Sequence, residues 1–120
     1  MDRLESTLRL ADWKGRRYRR FNLEFPVLIK FQSISHTDQI EAVSKNVSVG
    51  GLLVRSSLMI PEHAHVTFVL TVHGEEAVRP IHLAGEGEIV RVQREEANAA
   101  FVMAVKCKAP VTQLEEYLPA

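Results

Sequence analysis

Five of the seven residues from Lys14 to Arg20 are basic: Lys14, Arg16, Arg17, Arg19 and Arg20. Guanidinium groups spaced along a short arm can take phosphate oxygens in pairs through their planar forks, and can stack on an aromatic base. A second group, Asn46-Val47-Ser48-Val49-Gly50-Gly51, reads as a short polar turn between strands. There an amide, a hydroxyl and closely spaced backbone N–H groups can read a base edge or a phosphate. Each group also has a plainer explanation. The basic run on composition alone fits a solvated arm, or a non-specific patch for nucleic acid or acidic lipid. The turn could be only a hairpin, because Asn, Ser and Gly are what turns use.

The rest of the chain sets these groups apart. Residues 1 to 20 carry seven Lys/Arg against three Asp/Glu, and residues 21 to 120 carry eight against twelve, so a formal net charge of zero hides a basic arm on an acidic body. With 120 residues, 46% hydrophobic and 25% charged, the chain is one ordinary domain that needs no disulfide or metal to hold together. No apolar run approaches the roughly 20 residues that span a bilayer, and Met1 is followed by Asp2 and Glu5 rather than by a secretion signal, which points to the cytoplasm. The single Cys107 falls in an apolar alternating run, as a packed thiol does. Without a secretion signal, Asn46-Val47-Ser48 is not read as a glycosylation acceptor.

The elements that position the two groups follow from periodicity. Asp2 can cap a short helix carrying Leu4, Leu8 and Ala11 on one face, ended by Gly15, with Trp13 near its end. From Phe21 the period changes to two. Phe21, Leu23, Phe25, Val27, Ile29 and Phe31 share one face of a long strand. His36-Thr37-Asp38 supplies a turn, Ile40 to Ser44 returns as a strand, and the segment from Asn46 to Gly51 breaks it. Strands follow over Leu52 to Arg55 and Val66 to Val72. After Pro80, Ile81 and Leu83 are out of phase with Val90 and Val92, which places a bulge or bend at Gly85 or Gly87. A last strand carries Phe101, Met103, Val105 and Cys107, and Val111 to Leu118 forms a short closing helix. Six or so antiparallel strands without a long helix describe a small closed or nearly closed barrel.

Taken together, the two groups resemble the signature of the PilZ family: RxxxR before the first barrel strand, then [D/N]xSxxG about thirty residues later. Arg16 and Arg20 match the first half, and Asn46, Ser48 and Gly51 the second. The resemblance implies an all-β fold with minor α, a six-stranded antiparallel barrel with short N-terminal and C-terminal helices. It divides the chain into an N-terminal helical arm (1–13), a PilZ-like barrel (14–110) and a short C-terminal helix (111–120). It implies a receptor for the bacterial second messenger cyclic di-GMP, not an enzyme, with no cofactor beyond that ligand. Arg16 and Arg20 would fold over the ligand, Arg17 would add a contact, and Asn46 and Ser48 would meet the guanine edge. Gly51, with Gly50, would leave room for the base and permit a backbone shape closed to residues with a Cβ. Gly15, just before RxxxR, stands where the family tunes whether one ligand or a stacked pair binds. The resemblance further implies a protein partner and disfavours nucleic acid, while the short apolar runs give no reason to expect membrane insertion. The last strand, Ala100 to Cys107, departs from the family by lacking a glycine. Two other readings stay open: an interaction module without ligand binding, and a basic-arm nucleic-acid binder, against which stands the shortage of exposed aromatics beyond Trp13 and Tyr18.

Other chemistry finds less support. His63 and His65 form an HxH pair at a loop edge marked by Pro61-Glu62, with no third His, Cys or carboxylate expected to join them as a metal ligand. Ser48 lacks the first glycine of a nucleophile elbow and is followed by a strand. Glu75-Glu76 and Glu95-Glu96 sit beside turn signals, where paired acids face water.

Overall fold

The computed structural model describes residues 18–73 and 79–119. The helix expected around Leu4 to Ala11, Gly15, and the acids Glu75-Glu76 lie outside the described residues. Six strands follow in order: β1 (Pro26–Gln32), β2 (Thr37–Ser48), β3 (Gly51–Ser56), β4 (His65–Val72), β5 (Ile81–Glu95) and β6 (Ala100–Cys107). All pairings are antiparallel, and the sheet closes on itself in the order β1-β2-β3-β6-β5-β4. A 3-10 turn over Thr112–Tyr117 follows the last strand.

The interior is filled from every strand by alternating apolar side chains. Val27 and Ile29, Ile40 and Ala42, Val54, Phe68 and Leu70, Ile89, and Met103 and Val105 are all buried. Burying a side chain of this size is worth roughly 1.5–3 kcal/mol, which is what selects the pairing register. Ile60, from the loop between β3 and β4, and Leu114, from the 3-10 turn, are also buried in this core.

Four details depart from the sequence expectation. The long strand from Phe21 begins as a strand only at Pro26; ahead of it the Ser44 hydroxyl accepts the Phe25 N–H (2.8 Å) and donates to the Leu23 carbonyl (2.6 Å), taking the place of ladder bonds. Thr37 and Asp38 belong to β2, paired with Gln32 and Phe31, and the tight turn is closed by Ser33 N–H on the His36 carbonyl (2.8 Å). The returning strand runs through Asn46 to Ser48, leaving only Val49 and Gly50 as the turn. The phase change in β5 sits at Val90, the extra residue between the pairs Ile89↔Val105 and Arg91↔Ala104, while Gly85 and Gly87 lie in regular pairing. Gly85 instead makes room for a neighbour, since a Cβ there would stand 2.5 Å from the Phe68 ring. After the bulge Val92 faces Met103 and resumes the inward set.

Candidate ligand-binding site

A second bulge prepares the site. Ser44 pairs with Val54 and Asn46 with Leu53, so Lys45 is extra, and the inward-facing residue after Ile40, Ala42 and Ser44 is Val47 rather than residue 46. The slip turns Asn46 away from the core. Its side chain is half-buried, and among the described residues the carboxamide has no hydrogen-bond partner.

Two residues on, Ser48 is buried at 4% exposure and its hydroxyl is occupied within the turn. It accepts the backbone N–H groups of Gly50 (3.2 Å) and Gly51 (3.1 Å) and donates to the Gly51 carbonyl (3.2 Å). The turn's N–H groups are therefore spent on Ser48 rather than pointed at a ligand, which revises the expectation that they read a phosphate. The turn carbonyls are engaged from the other side: Gly50 C=O accepts from Cys107 N–H (3.0 Å) and Val49 C=O from Val111 N–H (2.8 Å). No described glycine has a positive φ, so neither Gly50 nor Gly51 serves a left-handed backbone. Gly51 is required by proximity, because a Cβ there would lie 2.7 Å from the Val105 carbonyl oxygen of β6.

The basic arm reaches this turn through two anchors. Phe21 and Val47 exchange two backbone hydrogen bonds of 2.8 Å, between Asn46 and Ser48. Three residues earlier the Tyr18 ring lies on Gly50, at 2.7 Å from where a Cβ would be. Together they set an antiparallel register in which Arg20, exposed, stands across from Ser48. Arg19 places its guanidinium 5.0 Å from the Phe21 ring centre, a cation–π contact within the arm. Of the expected ligand contacts, the structure thus brings Arg20, Asn46, Ser48 and Gly51 to one place; Arg16 and Arg17 lie outside the described residues.

Sequence reasoning missed two contributors. Lys106 is exposed and pairs in register with Gly51, so a basic residue stands across from the end of the turn on the neighbouring strand. The C-terminal segment holds the turn by backbone bonds from Cys107 and Val111, which leave no mark on residue type. Cys107, packed against the core where that segment begins, has its thiol pushed by burial from 9.0 to about 11.

The chain shows clear kinship at this point. The PilZ domain family model matches residues 14–118. The chain belongs to the PilZ family. Comparison with curated proteins gives no match. Among solved structures, the PilZ fold here is similar to the inhibitor of motility MotI/DgrA of Bacillus subtilis (18% identity, TM-score 0.66), covering 86% of this chain and 47% of that one. It is similar also to the PilZ domain of YcgR from Escherichia coli, solved with c-di-GMP (12% identity, TM-score 0.55), with 83% and 86% covered. The chain spans about half the length of the MotI chain.

The remaining candidates resolve differently. Contrary to the expectation that no carboxylate accompanies the HxH pair, Glu88 lies 3.3 Å from His63 and Glu86 3.6 Å from His65. These are separate pairs, and among the described residues no group of three or more could hold a metal. Glu95 does not simply face water: it is partly buried and ion-paired with Arg55 (3.0 Å) and Lys45 (3.7 Å). No described helix is long and apolar enough to cross a membrane.

Proposed function

We propose that this PilZ protein is a cyclic di-GMP receptor that signals to a protein partner. The observation that carries the reading is the convergence of Arg20, the Asn46 carboxamide, which has no partner among the described residues, and the Ser48–Gly51 turn on one patch of the barrel surface. Arg20, with Arg16 and Arg17, takes the phosphates and stacks on guanine; Asn46 supplies donor and acceptor to the guanine edge. Ser48 holds the turn in the shape that presents this edge. Lys106 adds a positive charge at the rim. We read the patch as a binding site, as the chain's membership of the PilZ family favours. A PilZ domain solved with c-di-GMP supports the same ligand class here.

The test is a calorimetric titration with cyclic di-GMP at about 50 and 200 mM salt, beside single-stranded DNA. Cyclic di-GMP, with two phosphates and two guanines, should keep most of its affinity across that range, while a sequence-blind polyanion contact falls steeply. Arg20→Ala should weaken cyclic di-GMP more than tenfold with little change in melting temperature, one charge-assisted contact being worth roughly 1.5–3 kcal/mol. Tight DNA binding without cyclic di-GMP binding would establish the nucleic-acid reading; neither would leave a PilZ interaction module.

A further inference from the structure

We infer that Tyr18 is a positioning residue for the site, its ring seated on Gly50 so as to hold the basic arm in the register that sets Arg20 across from Ser48. The inference rests on the proposed cyclic di-GMP site and deepens it. The reason for a glycine at position 50 carries the argument. Its backbone has no left-handed conformation, so no strain calls for glycine. The three nearest heavy atoms that a Cβ at Gly50 would meet all belong to the Tyr18 ring, at 2.7, 3.2 and 3.7 Å. The missing side chain is therefore a seat for Tyr18. Gly51 differs, because its Cβ would meet the Val105 backbone.

The seat is itself firm. Gly50 C=O is held by Cys107 N–H (3.0 Å), its N–H by Ser48 Oγ (3.2 Å), and the neighbouring Val49 C=O by Val111 N–H (2.8 Å). A ring resting there, with the Phe21–Val47 bridge three residues on, fixes the arm at both ends of the span that contains Arg19 and Arg20. An arm held by one anchor alone samples other registers. The site then pays for the fraction of time in which Arg20 is elsewhere, and apparent affinity drops by that fraction.

The experiment joins a contact measurement to a binding measurement on the full chain. By NMR, the Gly50 α-protons of the wild type should show an upfield ring-current shift that persists in Tyr18→Phe and disappears in Tyr18→Ala. By calorimetry, Tyr18→Ala and Gly50→Ala should each weaken cyclic di-GMP about fivefold. The double variant should be little weaker than either alone, and Tyr18→Phe should stay within about twofold of wild type. Thermal unfolding of Tyr18→Ala should be unchanged, which separates positioning from a structural role. If the wild type binds and Tyr18→Ala binds equally well, or the two single losses add fully, the inference is overturned while the receptor reading stands. Loss of the ring-current shift in Tyr18→Phe overturns it too. A wild type that does not bind cyclic di-GMP overturns the receptor reading and this inference with it.

Discussion

Replacing Ser48 by alanine should separate the two duties that one motif combines. The Ser48 hydroxyl accepts two turn N–H groups and donates to one carbonyl at 3.1–3.2 Å, in a residue only 4% exposed. Each such bond contributes about 0.5–1.5 kcal/mol, and because Gly50 and Gly51 are half-buried, water recovers part of what their N–H groups lose. The net loss should be about 1–2 kcal/mol. For a domain of this length that lowers Tm by roughly 3–10 °C. Asn46→Ala supplies the contrast, since its half-buried carboxamide has no partner among the described residues and should cost less than about 0.5 kcal/mol. Calorimetry should find cyclic di-GMP weakened in both variants: in Asn46→Ala by lost contacts of about 1 kcal/mol, in Ser48→Ala by a turn that no longer holds its shape. Thermal unfolding by circular dichroism decides. A Ser48→Ala melt within about 1 °C of wild type would refute the reasoning about the turn. An Asn46→Ala melt as low as that expected for Ser48→Ala would show that the carboxamide supports the fold.

Further substitutions test the frame around the site. Gly51→Ala should destabilise by roughly 1–3 kcal/mol in denaturant unfolding, because its Cβ meets the Val105 carbonyl at 2.7 Å and backbone cannot rotate aside. Leu114→Ala should cost about 2–4 kcal/mol, Leu114 being 1% exposed in the core. Burial raises the Cys107 thiol from 9.0 to about 11, so between these values the unfolded chain has lost a proton that the folded chain keeps. This stabilising contribution is full below about pH 9 and is lost as pH rises towards 11. Cys107→Ala should therefore flatten the fall of Tm between pH 8 and 10.5, and in the wild type the thiol should react with a disulfide reagent markedly more slowly at pH 8–9 than a free cysteine does.

The strands with one uninterrupted phase were legible because their alternation depends only on their own residues; Val27 to Phe31 and Val66 to Val72 are the cases. The bulges were less so. A bulge is two residues facing one, and the sequence of β5 shows that the phase changes between Leu83 and Val90 without showing which residue β6 leaves unpaired. The glycines attracted the assignment by type, yet Gly85 answers to the Phe68 ring across the strand pair. Ser44 shows another limit: alternation sets it on the face of Ile40 and Ala42, but does not show that its buried hydroxyl bonds Phe25 N–H and the Leu23 carbonyl to hold the segment leading into β1. In the site, residue types and spacing indicated Arg20, Asn46, Ser48 and Gly51. The division of labour among them depends on hydrogen bonds that cross the turn.

Closure of the sheet has a consequence for how this chain can speak to another protein. Strand addition needs a row of unpaired backbone N–H and C=O groups, and a closed barrel offers none along its paired circumference. Where β5 outruns β4, the loop after Pro61 takes over: Ile89 exchanges backbone bonds with His63 (2.6 Å) and Ala64 (3.0 Å), and the Glu62 carboxylate accepts Val92 N–H (3.2 Å). Among the described residues, what the barrel leaves for recognition is side chains and loop tips, such as the fully exposed Ile34 between β1 and β2 or Leu58 and Met59 after β3. Specificity of that kind can be rewritten one surface residue at a time while the barrel and its pairing stay the same.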